Sequence, residues 1–337
     1  MGAGTRVGHM RVLFIGGTGT ISAACVRAAV GAGHEVSVLN RGSGRQPLPA
    51  GVREIIADIR DEDASRRAIG GQDFDVVADF LSFTPDHVET VLRLVEGRCA
   101  QYIFISSASA YDKPPRRLPV TESTPLRNPY WQYSREKIAC EDMLVGAYRD
   151  RGLPVTIVRP SHTYDHKLLP TMGGWTDIAR IRAGKPVVVH GDGTSLWTLT
   201  HSDDFAVAFT GLLGAPQAIG EAYTITGDHA PTWNQIYGWL AQAAEVTEPR
   251  LVHIASETIA VFRPDLGPGL VGDKAHSMVF DTAKIRALVP EFRTTVRFDE
   301  GARRILAHFD ANPELQRVNP ELDAAFDRMV AHAYSAG

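Results

Sequence analysis

The chain has 337 residues, of which 44% are hydrophobic and 22% are charged, and its formal net charge at pH 7 is −4. This composition is typical of a globular protein, and the small negative charge gives no electrostatic reason to expect nucleic-acid binding. No run of about twenty apolar residues predicts a membrane span, and three widely spaced cysteines favour reduced thiols in a cytoplasmic protein over a disulfide framework.

Residues 1–9 are polar and glycine-rich and lack the apolar segment of a signal peptide. Met10 directly precedes the first predicted strand and is an alternative start, so we leave open whether the leader is native.

The first predicted strand, residues 11–15, ends at a glycine-rich turn. Residues 21–33 then carry alanine and valine at helical spacing, so strand, turn and helix form the context of a dinucleotide fingerprint. Gly16 permits the tight turn, and Gly19 lets the backbone approach a pyrophosphate at the helix N-terminus. Ser22 takes the third small position. An ordinary glycine-rich loop is the alternative interpretation of the turn taken alone.

The second predicted strand, residues 35–39, ends at Asn40 and Arg41. An acidic residue at this position usually accepts hydrogen bonds from the ribose hydroxyls of NAD. An arginine can instead pair with the 2′-phosphate of NADP. This favours NADP, with NAD possible, and a solvated arginine is the alternative. The third predicted strand, residues 55–61, carries Asp58, which is positioned to hydrogen-bond the adenine amino group.

A later predicted strand, residues 101–107, ends at Ser107, and a long helix is predicted from about residue 129 to 148. Tyr133 and Lys137 are four residues apart and therefore share one side of this helix. A free phenol has a pKa of about 10, and a nearby ammonium with an oxidised nicotinamide would lower it. Tyr133 would then exchange a proton with a substrate hydroxyl, which Ser107 hydrogen-bonds. A surface helix pair is the alternative.

These segments resemble the extended short-chain dehydrogenases/reductases of the NAD-dependent epimerase/dehydratase group. Asn40, Arg41 and an aspartate at Asp79 look most like the branch related to chloroplast stem-loop-binding proteins. The resemblance implies an α/β fold, a doubly wound parallel Rossmann sheet with a smaller, discontinuous C-terminal substrate domain. The Rossmann domain is expected to cover residues 10–160 and about 195–226, and the substrate-binding lobe about 161–194 and 227–335.

The resemblance also assigns roles to individual residues. The predicted catalytic residues are Ser107, Tyr133 and Lys137. The predicted cofactor-binding residues are Gly16, Thr18, Gly19, Thr20, Ile21, Asn40, Arg41, Asp58, Ile59, Phe80, Tyr133 and Lys137. A homodimer, formed through the helix that bears Tyr133 and through residues 85–98, is expected from the resemblance.

The chain departs from this group at the expected substrate positions. Dehydratases of the group carry an acidic pair where this chain has Ala108 and Ser109, which disfavours dehydration. Epimerases usually carry asparagine at His162 and an arginine for the substrate diphosphate at Trp197, where the bidentate phosphate clamp is replaced by a stacking plane. We therefore predict substrate contacts from Ser109, His162 and Trp197. No metal site is predicted, since His162 and His166 follow a strand end rather than lying on a helix.

The sequence thus predicts an NAD(P)-dependent oxidoreductase that transfers hydride at a secondary alcohol or ketone of a sugar, nucleotide-sugar or sugar-like substrate. An epimerase that retains its cofactor ranks slightly first. An NADPH-dependent ketoreductase of a natural-product or nucleoside ketone is the alternative, and a non-catalytic protein that senses NADP or binds RNA ranks third. The expected partner is a small-molecule substrate, without nucleic acid or membrane. Residues 264–270 are predicted as a loop able to cover the cleft, and a disordered surface segment is the alternative.

Overall fold

The computed structural model describes residues 8–43 and 46–335. Its strands are β1 (Arg11–Ile15), β2 (Glu35–Asn40), β3 (Arg53–Ile56), β4 (Phe74–Asp79), β5 (Cys99–Ile105), β6 (Val155–Pro160), β7 (His162–Tyr164), β8 (Val187–His190), β9 (Leu199–His201), β10 (Ala222–Ile225) and β11 (Leu251–Ile254). Its α-helices are α1 (Thr20–Gly31), α2 (Glu62–Ile69), α3 (Pro85–Val95), α4 (Gln132–Arg151), α5 (Trp175–Arg182), α6 (Ser202–Leu212), α7 (Trp233–Ala243), α8 (Ser256–Phe262), α9 (Gly267–Gly269), α10 (Ala283–Leu288), α11 (Phe298–Ala311) and α12 (Pro320–Ser335).

Seven parallel strands form the central sheet in the order β10-β6-β5-β4-β1-β2-β3. The order reverses between β1 and β4, where Ile15 lies opposite Asp79 at the carboxyl ends of the strands. In doubly wound sheets a crevice opens at this switch point, and ligands bind there. The predicted sheet is therefore present, and its topology locates the site.

Helices cover both faces of the sheet, and the side chains of β1 point alternately to the two faces. Val12 and Phe14 belong to the core beneath α1 and α6, whereas Leu13 and Ile15 belong to the core beneath α3 and α4. All four side chains are fully buried. The continuous apolar run of β1 follows from this burial on both faces.

A separate hydrophobic cluster lies outside the sheet, around α5, α7 and α11, and includes Trp175, Trp233 and Phe309. The pairs β8–β11 and β7–β9 form small two-stranded sheets beside it. A further cluster joins α12 to α8, and it buries Leu322, Phe326, Met329 and Val330. No helix in the described ranges is both long and apolar enough to cross a membrane.

Three elements differ from the predicted ones, two of them at turns where a side chain accepts backbone hydrogen bonds. The third strand ends at Ile56, and Asp58 lies in a turn where its carboxylate accepts a hydrogen bond from the Arg60 amide, 3.0 Å away. The catalytic helix begins at Gln132, since the Asn128 side chain accepts from the two backbone amides before it. The predicted 264–270 loop instead includes α9 and leads into a π-helical turn, Leu270–Lys274.

Candidate functional site

The glycine turn after β1 is shaped by close backbone contacts. Gly16 has a φ of +82°, and a Cβ atom at this position would lie 2.6 Å from Cγ of Leu81. A Cβ at Gly17 would lie 2.7 Å from the Val38 methyl carbons. Gly19 is the N-cap of α1, and its amide donates to the Ser22 hydroxyl, 2.9 Å away. The turn therefore exposes the N-terminus of α1, whose first amides have no intrahelical partners.

A cavity of about 640 Å³ runs along the carboxyl ends of β1, β2 and β4 to the N-terminal part of α4. Eleven of the twelve predicted cofactor-binding residues line it, the exception being Thr20, which begins α1. The lining includes Gly16, Thr18, Gly19, Ile21, Asn40, Arg41, Asp58, Ile59, Phe80, Tyr133 and Lys137. These residues fit a dinucleotide, because the cavity begins at the helix N-terminus and ends at the predicted catalytic side chains.

Hydrogen-bond donors gather at the β2 end of this cavity. The Oδ1 atom of Asn40 accepts from the Gly42 amide at 2.7 Å, while Nδ2 is buried and has no partner among the described residues. The Arg60 guanidinium also lines the cavity, and its pKa is lowered mainly by burial and, to a smaller extent, by Arg41 nearby. Arg60 was not singled out from the sequence, although it follows the Asp58 turn directly.

Lys137 is buried beneath the cavity floor. Its Nζ donates to the carbonyl oxygens of Ser82 and Ile105, at 2.6 and 2.7 Å. The same nitrogen lies 4.7 Å from the ring centroid of Phe83. Burial lowers the pKa of Lys137 to about 8, against the opposing effect of Asp79. The ammonium thus has two fixed acceptors and one N–H left for a ligand.

Asp79 organises the loop that holds Lys137. Its carboxylate is fully buried and accepts from the Leu81 and Ser82 amides at 2.9 and 3.0 Å. It also accepts from the Tyr102 hydroxyl, 2.7 Å away. Because Ser82 supplies a carbonyl to Lys137, this carboxylate fixes the lysine indirectly.

Three serines form a hydrogen-bonded series behind the predicted catalytic hydroxyl. Ser134 Oγ donates to Ser109 Oγ at 2.8 Å, and Ser109 Oγ lies 2.9 Å from Ser107 Oγ. The Ser109 amide also donates to Ser107 Oγ at 3.1 Å. Ser107 Oγ is thus held by a backbone donor, and its hydroxyl lies beside that of Tyr133. The Ser109 hydroxyl therefore faces Ser107 and Ser134 inside the protein, although the residue lines the predicted substrate cavity.

Tyr133 lies at the junction of two cavities. Burial raises the pKa of Tyr133, and the Ser107 hydroxyl beside it acts in the opposite direction. Lys137 lies one helical turn further along α4. Its Nζ lies 6.0 Å from the Tyr133 ring centroid. The phenol is accordingly a proton donor at neutral pH.

A second cavity, of about 300 Å³, continues from the first on the side of the C-terminal elements. Ser107 and Tyr133 line both cavities, and Ser109, His162 and Trp197 line the second. The three predicted substrate residues are thus brought together.

His162 and Trp197 are hydrogen-bonded to each other. The Trp197 indole donates to His162 Nδ1 at 2.9 Å, so the imidazole proton resides on Nε2. Burial, with a contribution from Lys274, lowers the pKa of His162 to about 3. Trp197 is only 3% exposed and packs 5.5 Å from the Trp233 ring. The stacking plane predicted from the sequence is therefore largely covered by the protein itself.

The two histidines considered for a metal site have different partners. His166 packs against the ring of His308, with centroids 4.8 Å apart, and is exposed. Within the described ranges no group of three or more histidine, cysteine, aspartate or glutamate side chains is arranged to hold a metal ion.

The sequence singled out neither Ser134, Asp273 nor Lys274 as site residues, and all three contribute to this region. Ser134 directly follows Tyr133, and this adjacency was an available signal. Asp273 and Lys274 belong to a segment far along the chain, and no local pattern connects them to Tyr133.

Comparison with known proteins identifies the family. The model of the NAD-dependent epimerase/dehydratase family matches residues 12–226. The chain is 31% identical to 2′-dehydrokanamycin reductase of Streptomyces kanamyceticus over 68% of this chain and 65% of that protein. It is 28% identical to the chloroplast stem-loop binding protein of 41 kDa b of Arabidopsis thaliana, over 72% of this chain and 65% of that protein. The match thus spans 65% of the length of each relative.

Solved structures support the fold assignment. An epimerase from Methanothermobacter thermautotrophicus superimposes with a TM-score of 0.75, covering 92% of this chain and 94% of that one, at 18% sequence identity. Likeness at this identity concerns the fold alone. Together with the parallel sheet, it confirms the predicted doubly wound Rossmann class, and the match to the family model confirms the predicted family resemblance.

Proposed function

The chain belongs to the NAD-dependent epimerase/dehydratase family, and we propose that it is an NADP(H)-dependent reductase of a ketone on a sugar-like small molecule. One observation carries the proposal: Ser107 and Tyr133 line both cavities, so they face the boundary between a dinucleotide-shaped site and a second ligand site. A redox reaction between cofactor and substrate requires such a boundary.

The side chains at the boundary have complementary roles in this reaction. Bound nicotinamide would supply the hydride. Ser107 Oγ accepts from the Ser109 backbone amide, and its hydroxyl proton would hydrogen-bond the substrate carbonyl. Tyr133, whose pKa is raised by burial, holds its proton and donates it to the oxygen as negative charge develops there. Lys137 keeps one N–H for the ribose and places a positive charge below the phenol.

The donors at the β2 end support NADP as the cofactor. Asn40, with an orphaned amide nitrogen, lines this cavity together with Arg41 and Arg60, and β2 ends at Asn40 rather than at a carboxylate. A phosphate has only acceptor oxygens to offer such donors. The ribose hydroxyls of NAD would have to accept from the same groups.

The reductase form is preferred over the epimerase form for two reasons. A reductase exchanges its cofactor at each turnover, and NADPH is suited to net reduction. The similarity to 2′-dehydrokanamycin reductase supports the same chemistry on a ketone.

The proposed reaction is tested by following NADPH oxidation with a panel of keto sugars and related ketones. Tyr133→Phe is expected to lower kcat by about 10² to 10⁴ without preventing NADPH binding, because it removes the proton donor. Tyr148→Phe makes the same chemical change elsewhere on α4 and is expected to leave turnover unchanged. Equal activity in the Tyr133 and Tyr148 variants would contradict the proposal.

An epimerase remains the second candidate because the family includes epimerases. Its chemistry returns the hydride to the other face of the same substrate and therefore retains the cofactor. Denaturing the purified protein and identifying any released nicotinamide by mass spectrometry separates the two. Near-stoichiometric retained cofactor would favour epimerisation, and an empty protein that binds NADPH reversibly would favour reduction.

A further inference from the structure

We propose that Lys274 binds an anionic group of the substrate, so that the proposed ketone carries a carboxylate or a phosphate. This inference rests on the proposed function, since it names the substrate class for the same second cavity. Lys274 lines that cavity together with Tyr133 and His162.

The Lys274 ammonium lies between two indole rings. Its Nζ is 5.8 Å from the ring centroid of Trp131 and 5.7 Å from that of Trp197. Within the described ranges it has no carboxylate oxygen in ion-pair contact, unlike Lys113, which pairs with Asp273 at 3.1 Å. Aromatic faces stabilise a cation but do not neutralise it. Lys274 therefore brings a positive charge to the cavity without a partner of opposite charge.

The charges around the cavity do not cancel that of Lys274. Asp273, the adjacent carboxylate, lies against the fully buried ammonium of Lys113. His162 is neutral at physiological pH, because burial and Lys274 lower its pKa to about 3. Asp273 also raises the pKa of Lys274 against the lowering caused by burial, so one carboxylate is shared by two lysines and does not neutralise both.

The backbone around Lys274 is held in place by the site itself. The π-helical turn Leu270–Lys274 packs on Trp131, and a Cβ atom at Gly272 would lie 3.0 Å from Cβ of Trp131. Asn128 Nδ2 donates to the carbonyls of Gly272 and Ser109, at 2.7 and 2.9 Å. Single π-turns are frequent at functional sites. The lysine is thus fixed relative to the serine series that orients Ser107.

These contacts favour an anion over the other substrate types. A substrate amine would meet Lys274 as a like charge, which costs binding free energy in a partly buried cavity. A neutral sugar would leave the ammonium without a counter-charge. A carboxylate or phosphate oxygen would accept a charge-assisted hydrogen bond from Nζ.

The test measures binding, so that it does not depend on turnover. The protein is first saturated with NADP⁺, which fills the cofactor site, and is then titrated with inorganic phosphate, acetate, D-glucuronate or D-glucose 6-phosphate at constant ionic strength. D-glucose and D-glucosamine serve as neutral and cationic probes. Tryptophan fluorescence and isothermal titration calorimetry report binding, since Trp131 and Trp197 flank Lys274.

We expect phosphate or carboxylate probes to bind more tightly than glucose and glucosamine. Lys274→Met is expected to weaken that binding at least about tenfold, whereas Lys274→Arg restores most of it. Lys185→Met is the matched control, because Lys185 is exposed and lines neither cavity. The phosphate and carboxylate arms show which anion is preferred.

Two results would overturn the inference: equal binding of neutral and anionic probes, or anion binding that survives Lys274→Met unchanged. Either result leaves the proposed reductase function to stand or fall on the Tyr133→Phe assay. Conversely, the protein could bind anions through Lys274 and yet reduce no ketone. That result would support the anion site and contradict the proposed reductase function.

Discussion

Lys137 carries its charge into the protein interior, where two backbone carbonyls replace water around its ammonium. Such a site keeps the nitrogen in position but disfavours its charge. Tyr133, four residues earlier, is partly buried, and this burial raises its pKa. The sequence predicted that both residues share a helix side, but it could not predict their pKa values, because those depend on burial created by Phe83 and Ser82 from another segment.

The pH dependence of the reaction should therefore follow Lys137. Its pKa is lowered from 10.5 to about 8, so the cation is present below that pH and is lost above it. We expect kcat/KM for reduction to be level below about pH 8 and to fall by up to about tenfold for each pH unit above it. Tyr133 keeps its proton across this range, so it does not produce the decline. The measurement is a pH profile of NADPH oxidation.

Lys137→Arg provides the control, since a guanidinium does not titrate in this range. Its residual activity should lack the alkaline decline, and a decline that persists unchanged would assign the titration to another group.

The titration of Lys137 also contributes to the pH dependence of folding stability. Folding disfavours its ammonium, so the unfolded chain binds more protons between pH 8 and 10.5 and this residue alone makes the free energy of unfolding rise with pH there.

Ser134 offers a separate residue-scale prediction. Ser134→Ala removes the donor to Ser109, which is then free to rotate away from Ser107. We expect kcat to fall by about tenfold, less than the 10²-fold or more expected for Ser107→Ala, with KM for NADPH unchanged. Steady-state kinetics measure both constants, and exposed Ser335→Ala is the control. A loss in Ser134→Ala that appears in KM for NADPH would contradict a positioning role.

At the scale of elements, α4 is held against β6 by a buried ion pair. Glu141 accepts from Arg159 Nε at 3.0 and 3.1 Å and from Nη2 at 2.5 Å, and both side chains are buried. Ser106, at the end of β5, donates to the same carboxylate. The helix that carries Tyr133 and Lys137 is therefore joined to the strand ends that face it.

Breaking this pair should destabilise the whole fold. Glu141→Gln leaves the Arg159 guanidinium buried without its counter-charge, and we expect a loss of about 3–5 kcal/mol in the free energy of unfolding. Chemical denaturation measures the loss. The double variant Glu141→Leu with Arg159→Met removes both charges and is expected to be more stable than Glu141→Gln alone. If the double variant loses more free energy of unfolding than Glu141→Leu and Arg159→Met lose together, the uncompensated charge is not the cause.

The elements themselves were largely predictable, whereas their ends were not. The apolar run of β1 and the glycine turn follow from local patterns that any parallel strand and helix N-terminus would need. The end of β3 and the start of α4 depend on side-chain acceptors, Asp58 and Asn128, whose partners are specific to each turn. The turn Leu270–Lys274 was missed because its π-helical geometry depends on packing against Trp131.

At the scale of the molecule, the switch point of the sheet brings together segments that are far apart in the chain. Gly16, Asn40 and Ser107 lie at or just after the ends of three different strands, and the resemblance to a family was enough to group them. Lys274 reaches the same region only through packing between the C-terminal elements and α4, and no pattern in the sequence encodes that contact. The division into two lobes at about residues 160, 195 and 226 stays a prediction.

Because the cofactor cavity is bordered by β1, β2, β4 and α4, ligand binding there should stabilise the whole molecule rather than one element. At 100 times its Kd, NADP⁺ is expected to raise the free energy of unfolding by about 2.7 kcal/mol. Thermal denaturation should show one transition that moves upward with the logarithm of NADP⁺ concentration. NAD⁺ at equal concentration should raise the transition temperature less, because it lacks the 2′-phosphate that Asn40, Arg41 and Arg60 would bind. In the double variant Arg41→Ala with Arg60→Ala that difference should vanish, and equal shifts from both cofactors in the unaltered protein would count against NADP.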